Sequence, residues 1–112
     1  IGGADATLHE RPAEALRVAL KKTDLTPDDL EVVEINEAFA AVSLHSARML
    51  GLDEAKVNPH GGAVALGHPI GATGTRLVVT LIVALAARGG GYGAATLCGG
   101  GGQGDALIVK VG

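Results

Sequence analysis

Residues 70–87 read IGATGTRLVVTLIVALAA, and no other segment of the chain constrains its architecture as strongly. On a helix drawn through this segment, apolar residues cover nearly the whole circumference, broken mainly by Thr73, Thr75, Arg76 and Thr80. A helix that is apolar all round is normally buried between other layers. Because a domain of 112 residues can hardly cover such a helix alone, the segment predicts a layered fold with neighbours on more than one side of the helix.

The segments around this helix alternate between strand and helix signals. Short β-branched or apolar runs bounded by turn residues predict strands, and apolar residues at helical spacing predict helices. In chain order the predicted elements are a helix over 12–23, a strand over 32–35, a helix from Asn36 to Gly51, a short strand over 56–58, a glycine-rich loop over 61–67, the long helix, and strands over 93–98 and 106–111. This alternation predicts a single α/β domain.

Two of the predicted helix starts rest on particular residues. Asn36 is expected to cap the second helix, with Glu37 in its first turn. Pro69 is expected at the first position of the long helix, where its missing N–H is not needed.

The charge and cysteine content argue against several classes of protein. The net charge is −3 and no Lys or Arg cluster is present, so neither nucleic acid nor an anionic membrane is a predicted partner. The most apolar stretch, 77–87, is shorter than the roughly 20 residues that cross a bilayer, and no membrane span is expected. The single cysteine cannot form an internal disulfide. Together with the lack of a predicted membrane span, this predicts a cytoplasmic protein. The histidines and the cysteine lack zinc-site spacing, so no metal site is predicted.

Three polar side chains stand at the ends of predicted elements, where α/β folds place their sites. Asn36 follows a strand, His68 precedes the long helix, and Cys98 ends a strand that leads into glycines. If they converge, they bring an amide, an imidazole and a thiol together, and a neutral imidazole at a helix N-terminus suits a general base. From residue types alone, an inert buried thiol, an N-cap contact and simple capping stay open as roles for Cys98, His68 and Asn36 respectively.

Glycines 99, 101 and 104 satisfy the G-x-G-x-x-G spacing of dinucleotide-binding loops. That loop must open a helix, whereas the residues after it here, 106–109, are strand formers. No nucleotide cofactor is therefore predicted.

Three motifs occur along the chain: NEAFA at residues 36–40, GGAVALGHPIG at residues 61–71 and CGGGGQG at residues 98–104. Together they resemble the thiolase family, which includes acetyl-CoA C-acetyltransferases and 3-ketoacyl-CoA thiolases. Their order and spacing match as well, and the similarity runs from about Pro12 to Val111. The resemblance implies the C-terminal half of a thiolase-like α/β fold, with a mixed sheet and a buried apolar helix on one face. Residues 1–112 would then be a thiolase C-terminal domain without its first strand and without the N-terminal half.

The resemblance also assigns roles in the transfer of acyl groups between coenzyme A thioesters. His68 is similar to the histidine that takes the proton of a nucleophilic cysteine and helps to bind an oxyanion. Asn36 would fix the water that completes this oxyanion hole. Cys98 is similar to the acid/base cysteine, which removes the α-proton of an acetyl group in synthesis or protonates the departing enolate in cleavage.

Further residues are implied at the substrate. The backbone N–H of Gly100 resembles a donor to a second oxyanion hole, and Ala38 and Phe39 would border the pantetheine arm of coenzyme A. Coenzyme A enters this chemistry as an acyl-CoA substrate, so no separate cofactor is expected.

The chain departs from the family pattern in its cysteines, because Cys98 is the only one. The nucleophilic cysteine belongs to the family's N-terminal half, so the missing half is an expected partner and the isolated chain is expected not to turn over. Family members are usually homodimers or homotetramers. Two other hypotheses stay open: a cysteine hydrolase using Cys98, His68 and Asn36, and a noncatalytic fragment.

Overall fold

A three-stranded sheet separates two layers of helices. In the computed structural model, which describes all 112 residues, the chain also makes two single 3-10 turns, at Pro27–Asp29 and Glu54–Lys56. The main elements are α1 (Arg11–Leu20), β1 (Leu30–Ile35), α2 (Ala40–Leu50), α3 (Ala63–Leu66), α4 (Ile70–Ala87), β2 (Gly91–Gly99) and β3 (Gln103–Val111).

The sheet is mixed, with strand order β1-β2-β3. β1 and β2 run parallel, and Ile35 lies opposite Thr96. β2 and β3 form an antiparallel hairpin that closes where Gly99 faces Gln103. The predicted α/β class and mixed sheet are confirmed.

One face of the sheet is closed by α1 and α2. Six of the ten residues of α1 are buried; this helix packs on β2 and β3, while α2 lies against β1. The fully buried members of the core on this face include Ala13, Leu16, Leu30, Val33, Ile35 and Ala94.

The opposite face carries α4, which packs through one stripe only. Leu77, Leu81, Ala84 and Leu85 contact β1 and β2, together with Val32 and Ala95. Only five of the eighteen residues of α4 are buried, and outward residues such as Val83 are 61% exposed. The helix is therefore covered on one side, because this chain provides no second layer for the other side.

The hydropathy of α4 bears on the expectation that nothing spans a membrane. At 18 residues and a mean hydropathy of 1.8, this helix is long and apolar enough for a bilayer crossing by length and composition alone. A helix in the core of a water-soluble protein meets the same criterion, so the expectation stays a prediction.

The start of α2 differs from the prediction. Asn36 does not cap the helix, because its backbone N–H donates to the carbonyl of Thr96 at 3.0 Å and continues the pairing of β1 with β2. Phe39, with extended backbone, takes the N-cap position. The predicted end is confirmed, since Gly51 terminates the helix in the left-handed conformation with φ of 65°.

The predicted strand at 56–58 is also wrong. Val57 makes a single bridge to Val33, and the next residue, Asn58, has φ of 46°. A left-handed residue cannot continue a strand. The following loop contains the short helix α3, and Pro69 is the N-cap of α4 rather than its first helical residue.

Candidate active site

The end of β1 and the loop before α4 meet through Asn36 and His68. Asn36 is fully buried, and its Nδ2 lies 3.5 Å from Nε2 of His68. His68 itself is exposed. An imidazole on the surface therefore has one ring nitrogen directed at a buried amide.

The second ring nitrogen of His68 is held by Thr73, which is 1% exposed. The two atoms, Nδ1 and Oγ1, are 2.7 Å apart. The Thr73 hydroxyl already donates its proton to the carbonyl of Pro69 at 2.9 Å, so it must accept from Nδ1–H of the imidazole. In the neutral ring, Nε2 is then the unprotonated, basic nitrogen, facing the N–H₂ of Asn36.

Asn58 and Glu37 fasten the loop that leads to His68. The amide of Asn58 accepts from the backbone N–H of Ile35 and donates to its carbonyl, both at 2.8 Å. The carboxylate of Glu37 accepts from the Asn58 amide at 3.4 Å and from the N–H of Val64 at 3.2 Å. These bonds tie the loop to the end of β1, where Asn36 lies.

Gly62 is required in this loop. A Cβ atom at position 62 would overlap the carboxylate of Glu37. The close approach of backbone to carboxylate therefore needs a residue without a side chain.

Cys98 lies at the same end of the sheet, on the strand next to Asn36. The Thr96 side chain points to the α1 side of the sheet, because its Oγ1 donates to the carbonyl of Pro12. Cys98 is two residues further along β2, so its side chain lies on the same side. Asn36 and Glu34 lie on the α4 face of β1. The thiol is free and makes no hydrogen bond with His68 or Asn36, so the convergence of Cys98 with the other two residues stays a prediction.

Partial burial raises the pKa of the Cys98 thiol above its ordinary value, which keeps it protonated at neutral pH. Beside it opens a pocket of about 290 Å³, with Leu97, Gln103 and Asp105 among its lining residues. Small-molecule sites start at about this volume.

The turn after Cys98 presents a free backbone donor. Gly100 is exposed, its carbonyl accepts from Nε2 of Gln103 at 2.9 Å, and its N–H has no acceptor within the chain. Gly102, with φ of 79°, passes so close to the carbonyl of Asp5 that a Cβ atom would overlap it. The turn is thus fixed from one side while the N–H of Gly100 stays available.

The two residues predicted to border the substrate lie between β1 and α2. Phe39 is 62% exposed, and Ala38 is partly exposed beside it. Both are accessible next to Asn36.

A buried ion pair lies behind the Asn36–His68 contact. Glu34 is fully buried, and its Oε2 is 3.5 Å from Nη1 of Arg76 on α4. Burial raises the pKa of Glu34 to about 7, against the opposing effect of Arg76 and with a further rise from Glu37.

Sequence reasoning identified Asn36 and His68 but missed the side chains that hold them. In the sequence, Thr73 only interrupts an apolar pattern, and the signal that marks it is a hydroxyl five residues after the histidine, on the buried side of a helix. Nothing local marked Glu37 and Asn58 as a pair, since 21 residues separate them. No three His, Cys, Asp or Glu side chains converge as metal ligands; the absence of a metal site stays a prediction.

The amino-acid sequence matches one protein family over nearly its whole length. Residues 1–111 match the family described as "Thiolase, C-terminal domain". The chain is 53% identical over 110 residues to a probable acetyl-CoA acetyltransferase of Mycolicibacterium smegmatis, covering 98% of this chain and 28% of that protein. It is 54% identical over 112 residues to a probable acetyl-CoA acetyltransferase of Mycobacterium tuberculosis, covering 100% and 28%.

Solved structures agree with the sequence matches. The chain superposes on human mitochondrial 3-ketoacyl-CoA thiolase with a TM-score of 0.87 and 46% identity, covering 90% of this chain and 26% of the human one. For the dimeric peroxisomal thiolase of Saccharomyces cerevisiae the TM-score is 0.85 and the identity 44%, with 92% and 26% covered. The chain therefore spans little more than a quarter of the length of the proteins that it matches.

Proposed function

The chain belongs to the thiolase family, as its C-terminal domain, and from that premise we propose that it supplies the C-terminal catalytic part of an acyl-CoA C-acyltransferase. The reaction is Claisen condensation of coenzyme A thioesters or, in reverse, thiolytic cleavage of 3-ketoacyl-CoA. The observation that carries the proposal is the imidazole of His68, held by Thr73 on one nitrogen and facing buried Asn36 with the other.

His68 is the proposed general base. With Nδ1–H bonded to Thr73, Nε2 carries the lone pair. It exchanges its 3.5 Å contact with the Asn36 amide for the proton of a nucleophilic cysteine, which the N-terminal half of the fold supplies. That thiolate then attacks the acyl-CoA carbonyl and releases coenzyme A, leaving a covalent thioester. The resulting imidazolium can donate to the oxygen that becomes negative in the next step.

Two sets of donors serve the two thioester oxygens. Carbon–carbon bond formation places negative charge on the enolate oxygen of one thioester and on the carbonyl oxygen of the other. His68, with a water fixed by Asn36, is assigned to one oxygen, and the backbone N–H of Gly100 to the other. The unpaired N–H of Gly100 supports the second assignment.

Cys98 is the proposed acid/base residue. Its pKa is raised by burial, so it is a proton donor at neutral pH, as protonation of the acetyl-CoA enolate in cleavage requires. In synthesis the Cys98 thiolate removes the α-proton, the enolate carbon attacks the acyl-cysteine carbonyl, and the nucleophilic cysteine leaves as a thiolate. The raised pKa makes the thiolate a stronger base in that direction.

The remaining assignments concern the substrate and partners. Accessible Ala38 and Phe39 are proposed to border the pantetheine arm of coenzyme A, and the human mitochondrial 3-ketoacyl-CoA thiolase has been solved in complex with CoA. The N-terminal half is the proposed intramolecular partner, and a homodimer or homotetramer the proposed assembly. A cytoplasmic location stays a prediction from the sequence.

The cysteine hydrolase alternative receives less support from the geometry. A nucleophile, base and orienter would place the thiol on one nitrogen of His68 and Asn36 on the other. Here Thr73 occupies the orienting nitrogen, Asn36 faces the basic one, and the Cys98 pKa is raised rather than lowered.

The test uses a chimera in which this chain replaces the C-terminal segment that it matches in the Mycobacterium tuberculosis relative. The chimera is expected to cleave acetoacetyl-CoA only when coenzyme A is present. His68→Ala is expected to reduce kcat/KM at least about 100-fold. His45→Ala, which changes an exposed histidine on α2, is the matched control and should leave kcat/KM unchanged. A His68→Ala chimera as active as its parent would refute the assignment.

A further inference from the structure

The end of α4 nearest His68 lacks apolar anchors. From Leu77 onward the helix packs on the sheet through large side chains. Before Leu77, only Thr73 and Arg76 are not exposed, and the exposed residues are Ile70, Gly71, Ala72, Gly74 and Thr75. The position of this end therefore depends on two polar side chains.

Those two side chains lie three residues apart and so share one face of α4. Thr73 reaches only the loop just before the helix, through His68 and Pro69. Arg76 reaches across to β1, where it contacts Glu34. The contact with Glu34 is thus the polar link between the site end of the helix and the sheet.

Glu34 stands two residues before Asn36, on the same face of β1. Its carboxylate is fully buried, and Oε1 has no partner within the chain. Arg76 Nη2 is likewise unpartnered. Glu34 and Arg76 therefore have no polar side-chain partner except each other.

We propose that Glu34 and Arg76 are a positioning pair, which fixes where α4 sits along β1 and thereby holds His68 within reach of Asn36. The inference rests on the proposed function, because the position matters through the base that it holds.

The physical reason is that apolar packing alone does not fix this position. Apolar contacts are non-directional, and small exposed residues at the helix start offer no steric stop. A shift of one helical turn moves the helix by about 5.4 Å, more than the distance between Asn36 and His68. An apolar pair of similar volume is often as stable as a buried ion pair or more so, so a charged pair at this place needs a reason other than stability.

The decisive variant replaces both partners by methionine in the chimera, Glu34→Met with Arg76→Met. The double variant is expected to keep its Tm within about 3 °C of the parent. Its kcat is expected to fall at least about tenfold with KM within about twofold, since the base is displaced while the substrate contacts are retained. Parental kcat in a stable double variant would overturn the proposal.

Two further variants cover the case in which the double variant does not fold. Glu34→Gln keeps the shape and removes the charge, and is expected to lower kcat about threefold or more at unchanged KM. Parental kcat in this variant would equally overturn the proposal. Leu81→Ala, which weakens α4 away from the site, should lower Tm and leave kcat of the folded protein unchanged.

A readout independent of activity separates this inference from the proposed function. Modification of His68 by diethyl pyrocarbonate, followed by peptide mass spectrometry, is expected to be at least about threefold faster in the double variant, because the imidazole is released from Asn36. His45 on α2 should react at the parental rate. An inactive parental chimera would refute the proposed function alone. An unchanged rate of His68 modification in the double variant would refute the positioning pair.

Discussion

α1 and α4 lie on opposite faces of one sheet, and they differ in how they are held. α1 buries six of its ten residues, with Ala13, Leu16 and Leu20 in the apolar core, whereas α4 buries five of eighteen and leaves its outer side exposed. The contacts of His68 with Asn36 and Thr73, and the contact of Glu34 with Arg76, lie on the α4 side. The closed face therefore holds the larger apolar core, and the open face carries the contacts of His68, whereas Cys98 lies on the α1 side.

The largest expected effect of a single change is on the closed face. Leu16→Ala removes a fully buried side chain and should lower the free energy of unfolding by about 2–5 kcal/mol. Urea denaturation measures the loss. Leu44→Ala on α2, where the side chain is 44% exposed, is the matched control and should cost less than about 1 kcal/mol. Equal losses would abolish the distinction between the two environments.

A second effect is a pH dependence that originates on the open face. Glu34 has an ordinary pKa of 4.5, raised to about 7 in the folded chain, so the folded chain binds this proton more tightly than the unfolded chain. Stability should therefore fall as pH rises from 4.5 to about 7, by on the order of 3 kcal/mol, and level off above.

Urea denaturation across this pH range tests the effect of Glu34. Glu34→Gln should abolish the slope, while Glu31→Gln, an exposed residue of the same strand, should leave it. A slope that survives in Glu34→Gln assigns the proton to another group.

A smaller effect concerns the hydroxyl of Thr73, which orients His68, the proposed base. Thr73→Val keeps the volume but loses the acceptor for Nδ1–H, and should destabilise the chain by about 1 kcal/mol. In the chimera, kcat should fall about tenfold and recover in Thr73→Ser. The exposed neighbour Thr75→Val serves as the control, and a Thr73→Val enzyme with parental kcat would remove Thr73 from the site.

The smallest effect is expected on the outer side of α4. Val83→Ala should change the stability of the 112-residue chain by no more than about 0.5 kcal/mol, because the side chain is 61% exposed. In the chimera, where the N-terminal half is proposed to cover this side, the same change should lower Tm by at least about 2 °C. Calorimetry on both proteins measures the change in Tm. An unchanged Tm in the chimera would mean that the N-terminal half does not cover the outer side of α4.

The sequence predicted those parts of the fold that depend on local patterns. The bounds of α4, β2 and β3 were predicted within a few residues, because the signals for these elements lie inside each segment. The start of α2 was not predicted correctly. Asn36 continues the pairing of β1 with Thr96, 60 residues further along the chain, and does not cap the helix. Likewise, the segment Lys56-Val57-Asn58 contains one β-branched residue and cannot reveal that Asn58 will bond to Ile35.

For the candidate site, the polar residues were predicted and their supports were not. Asn36 and His68 stand at element ends, which a sequence displays directly. The contacts of Glu34 with Arg76 and of Glu37 with Asn58 join residues 42 and 21 positions apart, and only the folded backbone brings them together. Side-chain alternation gives Cys98 the α1 face of β2, and its convergence with Asn36 and His68 stays a prediction.

The chain contains only two asparagines, and both lie at the end of β1. Asn36 follows Ile35 in the sequence, and Asn58 is hydrogen-bonded to the backbone of Ile35. Asparagine is among the thermolabile residues, because its amide can hydrolyse to a carboxylate. Deamidation of Asn36 would set an anion 3.5 Å from the His68 ring and favour the imidazolium, which has no lone pair to accept a proton. A single hydrolysed amide at position 36 would thus weaken His68 as the proposed base while leaving the rest of the chain chemically unchanged.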